Sequence, residues 1–293
     1  FGPNGCSGYS GLEQLAWQTA KGLAARGHEV VLVAPDGSEC PGVQLVHTGA
    51  VRQHSEEQAY GGTKGRDASG KEFIIRQGYW PMLLQMDVII DETWQKWSYC
   101  LKREGQLRAP ILGVCHAPIS TMLSSLPPGV DKPCFVCISD DQRQHFEGLF
   151  GRPARTAYNG ISLDFYKPLG IPRTDRFLFL ARFSSIKGAD LALEACKAAG
   201  VGLDLVGDAS ITNEPEYFDK CRRMCDGKQL RMIGPATRAE TVYWFSQAHC
   251  LLHPNQRFRE PFGLAAVEAM ACGCPVIAWN NGAMRETIQD GCG

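Results

Sequence analysis

Apolar positions along this 293-residue chain follow two periods, one helical and one strand-like. Over residues 10–27, Leu12, Leu15, Ala16, Thr19, Ala20 and Leu23 recur at the i, i+3, i+4 spacing of one helix face. Ser10 and Glu13 have capping-box spacing, and Gly27 suits the left-handed position just past a helix end. The run EVVLVAP that follows is continuously apolar, as in a strand covered on both faces of a parallel sheet. Short runs of the same kind recur at DVIID, APILGVC, CFVCI, RFLFLA, LDLVG, CLLHP and PVIAW, many of them separated by helical stretches. Alternation of strand and helix predicts an α/β protein with parallel sheets.

Two segments interrupt the alternation. Residues 52–71 are polar and contain several glycines, which predicts a long loop close to a binding site. Residues 163–175 carry two prolines and a glycine and read as a linker. This divides the chain into an N-terminal domain of residues 1–162 and a C-terminal domain of residues 176–293, in keeping with a length comfortable for two domains. The glycine-rich opening FGPNGCSGYSG has no strand before it, although such loops normally follow the first strand of a doubly wound domain. The last residues, QDGCG, are a turn signal. The chain is therefore expected to be a fragment that lacks a first strand and C-terminal helices.

Composition narrows the function classes. The chain is 44% apolar and 21% charged with a net charge of −1, so no electrostatic case exists for nucleic acid as the main partner. No stretch approaches the roughly 20 apolar residues of a spanning helix, and no signal peptide is visible. Thirteen cysteines without a secretory signal point to free thiols in a reducing, cytoplasmic compartment. Cys134 and Cys137 form a CxxC on a strand, where alternation sends the sulfurs to opposite faces. Neither they, nor Cys221 with Cys225, nor Cys272 with Cys274, have a second pair at zinc-ribbon spacing, so no zinc is expected.

Two constellations carry candidate chemistry. RFLFLA ends at Arg182, and Lys187 and Gly188 fall where the next helix begins. Two cations at the carboxyl end of a parallel strand, beside a helix N-terminus, suit a diphosphate; the alternative is a pair of exposed surface cations. In EPFGLAAVEAMACG, Glu260 precedes Pro261, a residue that fits a first helical turn. The backbone N–H groups of Phe262, Gly263 and Leu264 would then be unpaired donors at a positive helix end. Glu260 beside them can accept hydrogen bonds from sugar hydroxyls. Glu268, in the body of that helix, needs a ligand or internal donors if buried; otherwise it is a partly exposed helix carboxylate.

These segments together resemble the family 4 retaining glycosyltransferases. EPFGLAAVEAMACGCPVIAWNNGAMRE is similar to that family's Glu-x7-Glu signature and ARFSSIKG to its Arg-Phe/Leu-x-x-x-Lys-Gly segment. AYNGISLDFYKP resembles its interdomain stretch, and the 10–35 segment its first helix and second strand. The resemblance implies a GT-B fold, two Rossmann-like domains facing each other across a cleft. It further implies transfer of a sugar, with retention, from a UDP- or GDP-linked donor to an acceptor that the sequence does not identify, a sugar, a lipid or a small molecule, with peripheral membrane contact open. By position it assigns Arg182 and Lys187 to the diphosphate, Glu268 to the ribose, and Glu260 with Phe262, Gly263 and Leu264 to the transferred sugar and phosphates. His116 in GVCHAP would approach the donor sugar, Ile233 the base and Gly11 the phosphates, with Ser10 standing where the family usually has glycine. No Asp-x-Asp is present, so a metal-independent reaction without a cofactor is expected. Sugar-nucleotide epimerisation, phosphorolysis and a non-catalytic nucleotide-sugar-binding module are the competing readings.

Overall fold

The computed structural model describes residues 11–51, 80–93, 96–125, 134–209, 212 and 214–289. The expected loop at 52–71 and the Ser10 cap lie outside the described residues. The chain divides into two compact units, residues 1–158 and 159–293. The stretch expected as a linker, 163–175, thus falls within the second unit, where Tyr166 is buried in the core.

In the first unit, helix α1 (Gly11–Ala25) precedes the parallel strands β1 (Val31–Asp36) and β2 (Gln44–Val51). The expected helix exists and buries Leu15 and Ala20 of the expected stripe, but its buried set also takes in Gln14 and Trp17. Trp17 is buried against Ala20 and Cys40 with its indole N–H donating to the Glu39 carbonyl at 3.1 Å, while Thr19 is exposed. The indole is the largest apolar surface on the helix, and its burial with a satisfied N–H widens the buried face beyond that stripe. A second sheet, all parallel, runs β3 (Ile89–Asp91), β4 (Ile111–Cys115), β5 (Phe135–Cys137) and β6 (Arg155–Thr156). Helices α2 (Trp97–Arg103), α3 (Ile119–Ser125) and α4 (Asp140–Phe150) connect or follow them. Cys134 is exposed and Cys137 buried, the opposite-face arrangement expected of a strand. Both are free, as are Cys40, Cys115, Cys196, Cys221, Cys225, Cys250, Cys272 and Cys274.

The second unit is a five-stranded parallel sheet, β7 (Phe177–Leu180), β8 (Leu203–Val206), β9 (Leu230–Gly234), β10 (Cys250–His253) and β11 (Val276–Ala278), in the order β11-β10-β7-β8-β9. Helices α5 (Ala189–Ala199), α6 (Pro215–Met224), α7 (Arg238–Gln247), α8 (Leu264–Ala271) and α9 (Met284–Thr287) complete it. Two apolar clusters fill it, one around Phe179, Leu193, Leu203 and Leu205, the other around Leu178, Phe245, Leu251 and Ala266. All four side chains of β8 are buried, including Asp204. Its carboxylate accepts from Arg176 Nε at 3.0 Å and from Arg231 Nε and Nη2 at 2.6 and 2.7 Å, which satisfies the charge internally.

Strand order decides where a ligand can reach this sheet. From β7 the chain builds outward through β8 to β9, then returns to place β10 on the other side of β7. The point of reversal lies between β7 and β10, and the crevice outside the carboxyl ends of such a strand pair is the standard ligand position in open parallel sheets. No helix among the described residues is long and apolar enough to cross a membrane.

Candidate functional site

Two loops leave the sheet at that reversal point. One follows β7 and carries Arg182 and Lys187; the other follows β10 and carries Glu260. They meet at Gly188, the N-cap of α5, whose φ of 77° is left-handed. A Cβ at Gly188 would stand 2.7 Å from the Pro254 carbonyl oxygen, so only glycine allows both the conformation and the contact.

Lys187 and Glu260 form the centre of the cluster. Lys187 Nζ lies 2.7 Å from Glu260 Oε2 and 5.3 Å from the centroid of the Phe258 ring. The same carboxylate oxygen accepts from Asn255 Nδ2 at 2.6 Å, and His253 Nε2 stands 3.6 Å away. Glu260 is buried. Burial works to raise its pKa, but Lys187 and His253 outweigh burial and hold the carboxyl well below the usual carboxylate range, so it is ionised. Its backbone is fixed as well: the Ala283 N–H donates to the Glu260 carbonyl at 2.9 Å, and a Cβ at Gly282 would collide with that carbonyl. His253 Nε2 and Asn255 Oδ1 are buried with no hydrogen-bond partner among the described residues, an uncommon state for buried polar atoms. Arg182 is half-buried, and its guanidinium makes no hydrogen bond or ion pair with a described residue.

Helix α8 begins later than expected. Gly263 is its N-cap, with φ 87°, and Leu264 is the first helical residue, so Pro261 and Phe262 precede the helix and do not form its first turn. The reason is local: left-handed Gly263 turns the chain sharply into the helix, and a Cβ there would collide with Met284. No side chain caps this N-terminus. Leu264 is therefore the only member of the expected Phe262–Leu264 donor set that belongs to the helix itself, while Phe262 and Gly263 are buried just ahead of it.

Glu268 lies one turn further along α8 and is half-buried. Its carboxyl is pushed up to about 7 by burial, against the hydrogen bond from Tyr166 and the charge of Arg238. Arg238 lies over the rings of Phe165 and Tyr166, with centroids 4.3 and 5.4 Å away. The expectation that Glu268 needs internal donors or a ligand is met in part by these partners, which come from the 159–176 stretch and α7.

The remaining candidates lie on other elements. Ile233 is exposed near the end of β9. His116 and Gly11 belong to the first unit. Gly11 is the exposed first residue of α1. His116 follows β4, and its Nε2 is in close contact with Glu92 Oε2 after β3. Gln142 Nε2 donates at 2.8 Å to each of the carbonyls of Cys115 and Ala117 flanking His116, which fixes its backbone. Sequence reasoning missed Glu92, Gln142, Tyr166, Asp190, His253, Asn255, Arg257 and Asn281. Each is a common polar residue without a motif of its own, and most of their partners lie far along the chain, so no local pattern marks them.

Comparison with known proteins is consistent with this geometry. Residues 9–165 match the family model described as "Glycosyltransferase Family 4", and residues 166–292 match "Glycosyl transferases group 1". A D-inositol 3-phosphate glycosyltransferase 1 of Catenulispora acidiphila is 29% identical over 174 residues, 52% of this chain and 41% of that protein, so the match spans less than half of the relative's length. Among solved structures, AviGT4, a glycosyltransferase involved in avilamycin A biosynthesis, superposes with a TM-score of 0.67 at 23% identity, covering 96% of this chain and 74% of that one. Anabaena HepE in complex with UDP-glucose gives a TM-score of 0.72 at 18% identity, covering 98% and 81%. The fold is thus of the GT-B class, and the chain belongs to glycosyltransferase family 4.

Proposed function

We propose that this chain transfers a sugar, with retention at the anomeric carbon, from a UDP- or GDP-linked donor to a hydroxyl acceptor, without a metal ion. The observation that supports the reading is the Lys187–Glu260 pair at the switch point of the second sheet, with Arg182 on the same loop as Lys187 and a helix N-terminus without a side-chain cap just after Glu260. Arg182 and Lys187 bind the diphosphate and stabilise the negative charge that develops on it as the glycosyl–phosphate bond breaks. Removing one such donor costs roughly 3 kcal/mol, about a hundredfold or more in rate. Arg182 is suited to the role because its half-buried guanidinium feels the Glu214 charge but makes no hydrogen bond to a described residue. Lys187 has three N–H donors, so it can keep Glu260 while meeting a phosphate. Glu260 holds hydroxyls of the transferred sugar together with the Phe262–Leu264 backbone, Glu268 the ribose hydroxyls, and Ile233 lies against the base. In the first unit, Glu92 braces His116. The UDP-glucose complex of Anabaena HepE supports a nucleotide-sugar donor.

The test is calorimetry with UDP and GDP, then turnover with a panel of nucleotide sugars and acceptors. Lys187→Ala and Glu260→Ala are expected to remain folded and lose most transfer. Unchanged turnover in both removes the proposed site. Donor conversion without acceptor would indicate epimerisation, and a requirement for free phosphate would indicate phosphorolysis. Nucleotide binding with no turnover would leave a binding module.

A further inference from the structure

Asp190, in the first turn of α5, is 2% exposed. A carboxylate so buried needs several donors, and it has them. Tyr217 Oη and Lys220 Nζ of α6 each donate at 2.8 Å, and Arg257 donates through Nη1 at 2.8 Å and Nη2 at 3.0 Å. Burial works to raise its pKa, yet Arg257, Lys220 and Tyr217 together hold the carboxyl far below the ordinary range.

Arg257 belongs to the loop after β10, three residues before Glu260. While its fork grips Asp190, Nη1 also donates to the Ser185 carbonyl at 3.0 Å, in the middle of the Arg182–Lys187 loop. One guanidinium therefore ties the Glu260 loop to the cationic loop and to α5. Both loops are braced on their other sides. Glu214 accepts from Ser184 Oγ at 2.5 Å and from the Ser185 N–H at 2.9 Å. Asn281 Nδ2 donates to the carbonyls of Asn255, Gln256 and Phe258 at 3.2, 3.3 and 2.9 Å. The link between the loops rests on a planar fork with several donors in fixed directions, which a lysine cannot reproduce.

We infer that Arg257, locked by Asp190, is a positioning residue for glycosyl transfer that holds the two loops in register so that Arg182, Lys187 and Glu260 engage one diphosphate sugar together. The inference rests on the function proposed above. A positioning error of about 1 Å costs up to roughly a hundredfold in rate, so Arg257 acts without touching substrate.

The test uses the full chain, UDP and GDP as calorimetric probes, and turnover with whichever donor the wild type accepts. Variants are Arg257→Met, Arg257→Lys and Asp190→Asn, with Lys187→Ala as comparator. Arg257→Met is expected to keep its circular dichroism and to lower its unfolding midpoint, because Asp190 keeps Tyr217 and Lys220 but loses the fork, while kcat/KM of the folded fraction falls roughly ten- to a hundredfold. Arg257→Lys is expected to lose nearly as much. Guanidinium ion at non-denaturing millimolar concentration should restore part of the activity of Arg257→Met and none of that of Lys187→Ala. A purely structural role would lower the midpoint in the same way but leave the specific activity of the folded fraction unchanged. If Arg257→Met does not fold, Arg257→Lys decides. Wild-type kcat/KM in folded Arg257→Lys or Arg257→Met, with Lys187→Ala inactive, overturns this inference and leaves the proposed function standing. Full turnover in Lys187→Ala overturns both.

Discussion

Replacing Glu268 by glutamine isolates the energetics of a single half-buried carboxyl. Burial against Tyr166 and the small residues of α8 moves this group from 4.5 to about 7. In the folded chain the protonated form is favoured, so the sign is that of a raised pKa. The associated stability is fully present below about pH 4.5 and is lost as pH rises toward and through about 7. Each pH unit of difference is worth about 1.4 kcal/mol, giving on the order of 3 kcal/mol above pH 7.5. Glu268 keeps some solvent contact, which screens its charge, so about 2 kcal/mol is the better expectation. Glutamine has nearly the same shape, can accept the Tyr166 hydroxyl hydrogen bond, and does not ionise. Urea unfolding of both proteins at pH 5, 6, 7 and 8 should therefore show a small gap at pH 5, an advantage for Glu268→Gln that grows mainly between pH 5 and 7, and a plateau above 7. For a domain of this size the gap at pH 8 corresponds to roughly 6 °C in Tm. A gap independent of pH would refute the claim that burial, and not shape, controls this position. If the ribose assignment also holds, UDP or GDP binding should strengthen between pH 6 and 8 in the wild type, because hydroxyl donors favour the ionised carboxylate, and should be flat in the glutamine variant.

Other expectations follow from contacts already described. Lys187→Met strips the buried Glu260 of its cation and should cost about 3 kcal/mol of stability; adding Glu260→Gln should recover most of that in a double-mutant cycle read by chemical denaturation. Gly188→Ala combines a left-handed φ with a Cβ 2.7 Å from the Pro254 carbonyl oxygen, and should cost about 1 to 3 kcal/mol while depressing transfer more than stability. Turnover should persist in excess chelator; strict dependence on added Mg²⁺ or Mn²⁺ would contradict diphosphate stabilisation by Arg182 and Lys187 alone.

Much of this molecule was legible from the order of its residues, because much of it is local. Short apolar runs became parallel strands wherever they are described, and Gly188 marks the start of α5 through its own backbone freedom. Arg182, Lys187 and Glu260 were marked by position at strand and helix ends, a signal that survives without knowledge of neighbours. Local rules failed where one large or unusual residue set the geometry. Trp17 widened the buried face of α1 beyond the expected stripe, and Gly263 delayed α8 past Pro261.

What tertiary structure alone decided is which distant groups share a charge. Lys187 and Glu260 are 73 positions apart, and Asp190 and Arg257 are 67 apart. Periodicity cannot pair them, since it reports only which way a side chain faces its own element. Their meeting depends on β10 returning beside β7, and on that return closing a long loop whose entropy is repaid by burial across the whole sheet. The ionisation of Glu260 and the near-neutral pKa of Glu268 follow from the same packing, because a carboxyl's charge state is set by the solvent it loses and the cations it gains, neither of which is written in the neighbouring residues.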